Sequence, residues 1–114
     1  MTVKECYDAL GGNYDEILGR FRSEDRVRRF VVKFLTDPSY DNLIKAYDEK
    51  NLEEAFRAAH TIKGICQNLS FTKLYESSHV LSDKLKAGEF DDTAEILEQV
   101  KADYARTVSA IQGL

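Results

Sequence analysis

The chain has little of what marks several large protein classes. Its 114 residues include two cysteines, two histidines, one proline and no tryptophan. Cys6 and Cys66 fall in different predicted helices, at a spacing that matches no zinc or redox motif. Cys66 lies on an apolar helical face, where cysteine acts as a small hydrophobe, and a reduced structural thiol is the expectation. A chain of this length buries a real core without disulfide or metal support. No apolar run approaches the roughly 20 residues of a membrane-spanning helix. The opening Met1-Thr2-Val3-Lys4-Glu5 carries charge where a signal peptide needs an apolar run, so we expect a cytoplasmic protein with no membrane partner. An initiating Met1 and helices close to both ends lead us to expect a free-standing protein. Nowhere do apolar and polar residues alternate over the length of a strand, and β-structure is not expected. There is no repeat and no low-complexity tract. The net charge is -4 with acids and bases interspersed, which gives no basic footprint for nucleic acid. A chain that is 43% hydrophobic and 32% charged fits one soluble globular domain over 1–114.

Helical periodicity is what the chain does have. Val3, Cys6, Tyr7 and Leu10 share one face of a short helix stopped by Gly11-Gly12. Tyr14 to Phe21 forms a second short helix through Ile17 and Leu18. Ser23 is placed to cap a third, with Glu24 and Asp25 at the positive end of its dipole. There Val27, Phe30, Val31, Phe34 and Leu35 recur at three and four residues. Thr36-Asp37-Pro38 ends it, because the residue before proline is pushed out of the helical region. Ser39 is expected to cap a shorter helix carrying Leu43, Ile44 and Tyr47. Asn51-Leu52-Glu53-Glu54 has the form of a capping box. It opens a long helix to Leu69, with Leu52, Ala55, Phe56, Ala59, Ile62, Cys66 and Leu69 as its stripe. Another helix runs from Thr72 to Ala87 through Leu74, Ser78, Leu81 and Leu85, and Gly88 ends it. Asp91 or Asp92 is expected to start the last, with Ile96, Leu97, Val100, Tyr104, Val108 and Ile111 facing the core. The long stretches, about 23–35, 51–69, 72–87 and 92–112, predict an all-α antiparallel four-helix bundle spanning about 23–112, with additional short N-terminal helices.

Within the long helix, Ala58-Ala59-His60-Thr61-Ile62-Lys63-Gly64 stands out. Mid-helix glycine costs roughly 1 kcal/mol relative to alanine. At 3.6 residues per turn, His60, Lys63, Gly64 and Gln67 project from neighbouring sectors. An imidazole with an ordinary pKa of about 6.5 keeps a neutral, nucleophilic nitrogen near neutral pH. Lys63 lies one turn away and can offset added negative charge, and Gly64 leaves bare backbone beside it. If the chain turns back near Ser70, His79 and Ser82 come near the level of His60, with Lys86 a turn further on.

The run Phe56-Arg57-Ala58-Ala59-His60-Thr61-Ile62-Lys63-Gly64-Ile65-Cys66-Gln67-Asn68-Leu69 resembles the signature of histidine-containing phosphotransfer domains. That signature is an alanine or apolar residue, His, any residue, an apolar residue, Lys and Gly, then an Asn-Leu pair. Gly11-Gly12 before a helix, the alanine-rich approach to His60 and the Leu-x-x-x-Leu-x-x-Gly close of the next helix extend the likeness over the whole chain. The resemblance implies a phosphoryl carrier in a multistep two-component phosphorelay. His60 would accept the group from a receiver-domain aspartate, with Lys63 stabilising charge and Gly64 giving access. A polar or basic residue of the adjacent helix often lies near the phosphohistidine in this family, and Ser82 and Lys86 are the candidates here, with Gln67 a possible hydrogen-bond partner. Partners would be receiver domains of response regulators or hybrid histidine kinases. Mg²⁺ would sit on the receiver, this chain would hold no cofactor or metal, and a monomer is expected. No Gly-rich loop is present for nucleotide, so no ATP-dependent kinase activity is expected. Many members have a small residue where Gln67 stands and glycine where Ser70 stands, departures that bear on partner choice more than on the reaction.

Two other classes of function are compatible with a helical bundle. It can be a non-catalytic interaction module, although such a module has no need to retain His60, Lys63 and Gly64. It can also bind metal through His60 and His79, with Cys66 as a third ligand type. Against metal, Cys66 lies on the apolar stripe away from His60, and Glu-x-x-His occurs only once, at Glu76 and His79, with Arg57 three residues before His60, where a di-iron site needs two such motifs.

Overall fold

Capping chemistry sets the helix boundaries in the computed structural model, which describes residues 1–114. The elements are α1 (Val3–Leu10), α2 (Tyr14–Phe21), α3 (Glu24–Lys33), a 3₁₀ turn (Phe34–Thr36), α4 (Ser39–Asp48), α5 (Leu52–Leu69), α6 (Thr72–Lys86) and α7 (Ala94–Gln112). There is no strand. Thr2 accepts from the Glu5 amide at 3.0 Å while the Glu5 carboxylate accepts from the Thr2 amide at 2.9 Å, a full capping box. Asn13, Ser23 and Asn51 each accept from the amide three residues on. The box expected at Asn51 is half made, because the Glu54 carboxylate turns to Arg57 at 2.9 Å. Gly88 closes the α6 end at φ +81°, as its sequence position predicts.

Two helix starts differ from expectation. Ser39 does not cap α4 but is its first residue; Pro38 holds the cap position, and Asp37 accepts the Ser39 amide at 2.8 Å. The last helix begins at Ala94 rather than at Asp91 or Asp92. The Thr93 hydroxyl bonds the Phe90 carbonyl at 2.6 Å and the Tyr47 hydroxyl at 2.8 Å, which ties the preceding loop down.

α4, α5, α6 and α7 form the bundle, α5 against both α4 and α6, and α6 against α7. The α4–α7 side is bridged by aromatic rings. Tyr40 stacks on Tyr104 at 3.7 Å and Tyr47 on Phe90 at 4.6 Å. The stretch 23–35 is therefore not the fourth bundle helix, and the bundle starts near residue 39. α3 buries Val27 and Val31 against its N-terminal neighbours, α2 and α1, leaving Phe30 43% and Val32 44% exposed, and Leu35 in the following 3₁₀ turn is 36% exposed. α4 takes the place beside α5 because Leu43 and Ala46 are buried there and the small Ala46 and Ala58 permit close approach.

The N-terminal helices brace one end of the bundle. α1 lies along α7 and buries Val3, Cys6, Tyr7 and Leu10. The Met1 amine donates to the Gly113 carbonyl at 2.9 Å, and the Tyr7 hydroxyl donates to the Leu69 carbonyl at 2.7 Å. Gly12 is needed for close approach, since a Cβ there would meet the Ser70 carbonyl oxygen at 2.7 Å. Ser70 ends α5 at φ +58°, a left-handed conformation that glycine adopts at less cost. Its hydroxyl donates to Glu16 at 2.5 Å and accepts from Arg20 at 3.3 Å, while Arg20 also donates to the carbonyls of Gln67 and Asn68. The serine thus clips α2 onto the end of α5, something glycine has no atoms to do.

Candidate functional site

α5 buries Ala55, Ala58, Ala59, Ile62, Cys66 and Leu69, and this stripe decides what the rest of the helix presents. Arg57, His60, Thr61, Gly64, Gln67 and Asn68 are exposed, and Lys63 is half-buried at the edge. His60 stands near the middle of the eighteen-residue helix, clear of both ends. Its imidazole packs against the Phe56 ring one turn earlier, at 5.6 Å and 32° between planes. The ring is supported from beneath while its edge faces solvent. A Cβ at Gly64 would meet no heavy atom within 4 Å. The glycine is therefore not required by packing inside the chain, and the space beside His60 is open.

Charge around the imidazole is uneven. Lys63 forms no ion pair and remains available one turn beyond His60. Arg57, one turn before it, is held by Glu53 at 3.4 Å and Glu54 at 2.9 Å. Phe56 and Arg57 were absent from the sequence-derived site. Phe56 reads as a member of the apolar stripe, and only its i, i+4 relation to His60 signals a platform. Arg57 reads as one exposed charge among many.

α6 contributes unequally. Ser82 is buried, 1% exposed. Lys86 is exposed in the last turn of α6. His79 is half-buried, stacks on Tyr75 at 5.6 Å with rings 6° from parallel, and places Nε2 3.4 Å from Asp83. Its Nδ1 is buried without a partner. The chain thus brings His60, Lys63, Gly64 and Gln67 onto one side of α5, while Ser82 and Lys86 make no bond to His60. No group of three His, Cys, Asp or Glu side chains stands close enough to hold a metal ion. Cys66 is fully buried, and burial pushes its thiol well above the ordinary value.

The chain is an all-α helical bundle with a solvent-facing histidine at mid-helix and a lysine and a glycine one turn on. The Hpt domain family model matches residues 36–110, from the turn before α4 to near the end of α7. The chain belongs to the Hpt domain family, whose members act in histidine phosphotransfer. No curated protein and no solved structure matches the chain. No helix is long and apolar enough to cross a membrane.

Proposed function

We propose that this protein carries phosphoryl groups between receiver domains, with His60 as the acceptor. A ring nitrogen of neutral His60 attacks the phosphorus of an aspartyl phosphate on the donor receiver. The N–P bond forms as the acyl O–P bond breaks, and the aspartate leaves as a carboxylate. In the second half-reaction an aspartate of the next receiver attacks, and the imidazole leaves. Phosphoryl transfer asks the protein for positioning and charge stabilisation, and each receiver brings its own acidic pocket and Mg²⁺. Lys63 offsets the charge gained at His60, and Gln67 lies one turn further along the same side. Lys86, exposed in the last turn of α6, acts on a docked receiver, whereas the buried Ser82 acts through packing. The protein is a monomeric carrier with no nucleotide site, and its partners are receivers of response regulators or hybrid histidine kinases.

The observation that carries this reading is the open space around an exposed His60, left free at Gly64 where no atom of this chain lies within 4 Å. The test is transfer from a ³²P-labelled receiver domain to the wild type and to His60→Gln. Label should pass to the wild type, survive base, be lost in acid, and be absent from the variant. Label on His60→Gln, or none on a folded wild type across several receivers, refutes the assignment and favours a bundle that only binds.

A further inference from the structure

α3 lies outside the family-matched residues 36–110, and its outer face has a composition that bundle packing does not explain. Residues 22–33 hold five cations (Arg22, Arg26, Arg28, Arg29 and Lys33) against two acids, a net +3; with the whole chain at -4, the remainder carries -7. None of the five takes part in an ion pair. Arg26, Arg29 and Lys33 follow at three and four residues, so they line one stripe opposite the buried Val27 and Val31. Arg22 precedes the stripe just ahead of the Ser23 cap. Phe30 and Val32 flank it on either side, 43% and 44% exposed, and the Lys33 Nζ sits 5.2 Å over the Phe30 ring.

We infer that this face of α3 is a docking surface for an acidic segment of a partner protein, about two helical turns long and apolar at its edges. Charge complementarity names the partner's sign. Its compactness follows from the distribution of charge over the rest of the molecule. Fields are screened over about 8 Å at physiological salt, so a short acidic segment on the stripe is attracted by the +3 patch and escapes most of the -7 elsewhere. An anionic membrane or a nucleic acid duplex extends past the stripe and meets that repulsion. The apolar residues lie to both sides of the cations, whereas insertion into a membrane needs them gathered on one free face. An arginine-rich centre beside exposed aromatic and aliphatic side chains matches the anatomy of protein interfaces. α3 packs on α1 and α2, and docking there is independent of receiver engagement at His60 on α5.

The test is fluorescence anisotropy with two labelled acidic peptides of identical composition. One carries Glu at i, i+3 and i+7 with leucines alongside; the other is shuffled. At about 0.15 M salt the patterned peptide should bind roughly fivefold tighter than the shuffled one. The triple variant Arg26→Gln/Arg29→Gln/Lys33→Gln, which alters only exposed side chains, should weaken it roughly tenfold with an unchanged circular dichroism spectrum. Phosphatidylserine vesicles and a DNA duplex are run as competing probes, and sedimentation reports self-association. Equal affinity for the two peptides, no loss in the triple variant, tighter binding of vesicles or duplex, or self-association abolished by the triple variant would each overturn the inference. His60→Gln should bind the patterned peptide normally, which separates this result from the phosphotransfer reading.

Discussion

In the proposed phosphotransfer reaction, Gly64 sets stability against transfer. A glycine inside a helix forgoes about 1 kcal/mol relative to alanine, and here no neighbouring atom requires the loss. Gly64→Ala should therefore raise Tm by about 5 °C while slowing phosphotransfer, because the added methyl occupies room that the receiver needs. Thermal denaturation and single-turnover transfer on the same sample check both halves. A variant that is stabilised and transfers at the wild-type rate would remove the steric role from Gly64. The titration of buried groups gives a second expectation. Burial pushes the Cys66 thiol above its ordinary value near 9 and the Tyr7 phenol above its ordinary value near 10. The folded protein keeps these protons after the unfolded chain begins to lose them. Their contribution is intact below about pH 9 and is lost as pH rises further, so the urea midpoint should hold from neutral to about pH 8.5 and fall above it. His60, Lys63 and Gly64 could be singled out from spacing alone, because three unlike residues on one helical sector have no packing rationale. The Phe56 platform was hidden, since an aromatic at that position serves the core pattern equally well. For Ser82, position along α6 follows from the turn at Ser70, but its burial depends on how far α6 is rotated about its axis, which the sequence does not report.

The helices themselves were legible almost throughout, because caps and stops are local chemistry. Neighbour choice was less so. Val27, Phe30, Val31, Phe34 and Leu35 have the periodicity of a bundle helix, yet periodicity says only that a stripe is apolar, not what covers it. The ten-residue α4 wins the position beside α5 through Leu43 and Ala46, and α3 is left with Phe30 and Val32 in solvent. Ser70 shows the reverse case, where an apparent departure from the family pattern has a local reason. Ser70→Gly should ease the left-handed backbone at the α5 terminus and release Glu16 and Arg20 of α2 together. The net stability change should be small, within about 1 kcal/mol, as the two effects oppose. Hydrogen exchange separates them: α2 amides should exchange faster while those in the middle of α5 stay protected. Unchanged α2 protection would show that the clip is not what holds this helix.

At the scale of the molecule, a four-helix module is completed by an N-terminal brace rather than standing alone. The family-matched residues end where the core does not, since Val3, Tyr7 and Leu10 are fully buried against the bundle. Each buried side chain of this size is worth about 1.5–3 kcal/mol, so losing three approaches the lower end of a domain's total of about 5–15 kcal/mol. A chain cut to 36–114 should accordingly lose cooperative thermal unfolding, which circular dichroism would record; a sharp transition near that of the intact protein would contradict this view of the brace. The brace fixes the end of α5, and through it the helix whose outer side presents His60. With only two histidines in the chain, that presentation can be tested by imidazole ¹⁵N spectra recorded while a phosphorylated receiver is added. The His60 nitrogens should shift as an N–P bond forms, His79 should stay unchanged, and a second receiver should reverse the shift. Phosphorylation at His79, or phosphate released to water with both imidazoles unaltered, would contradict this.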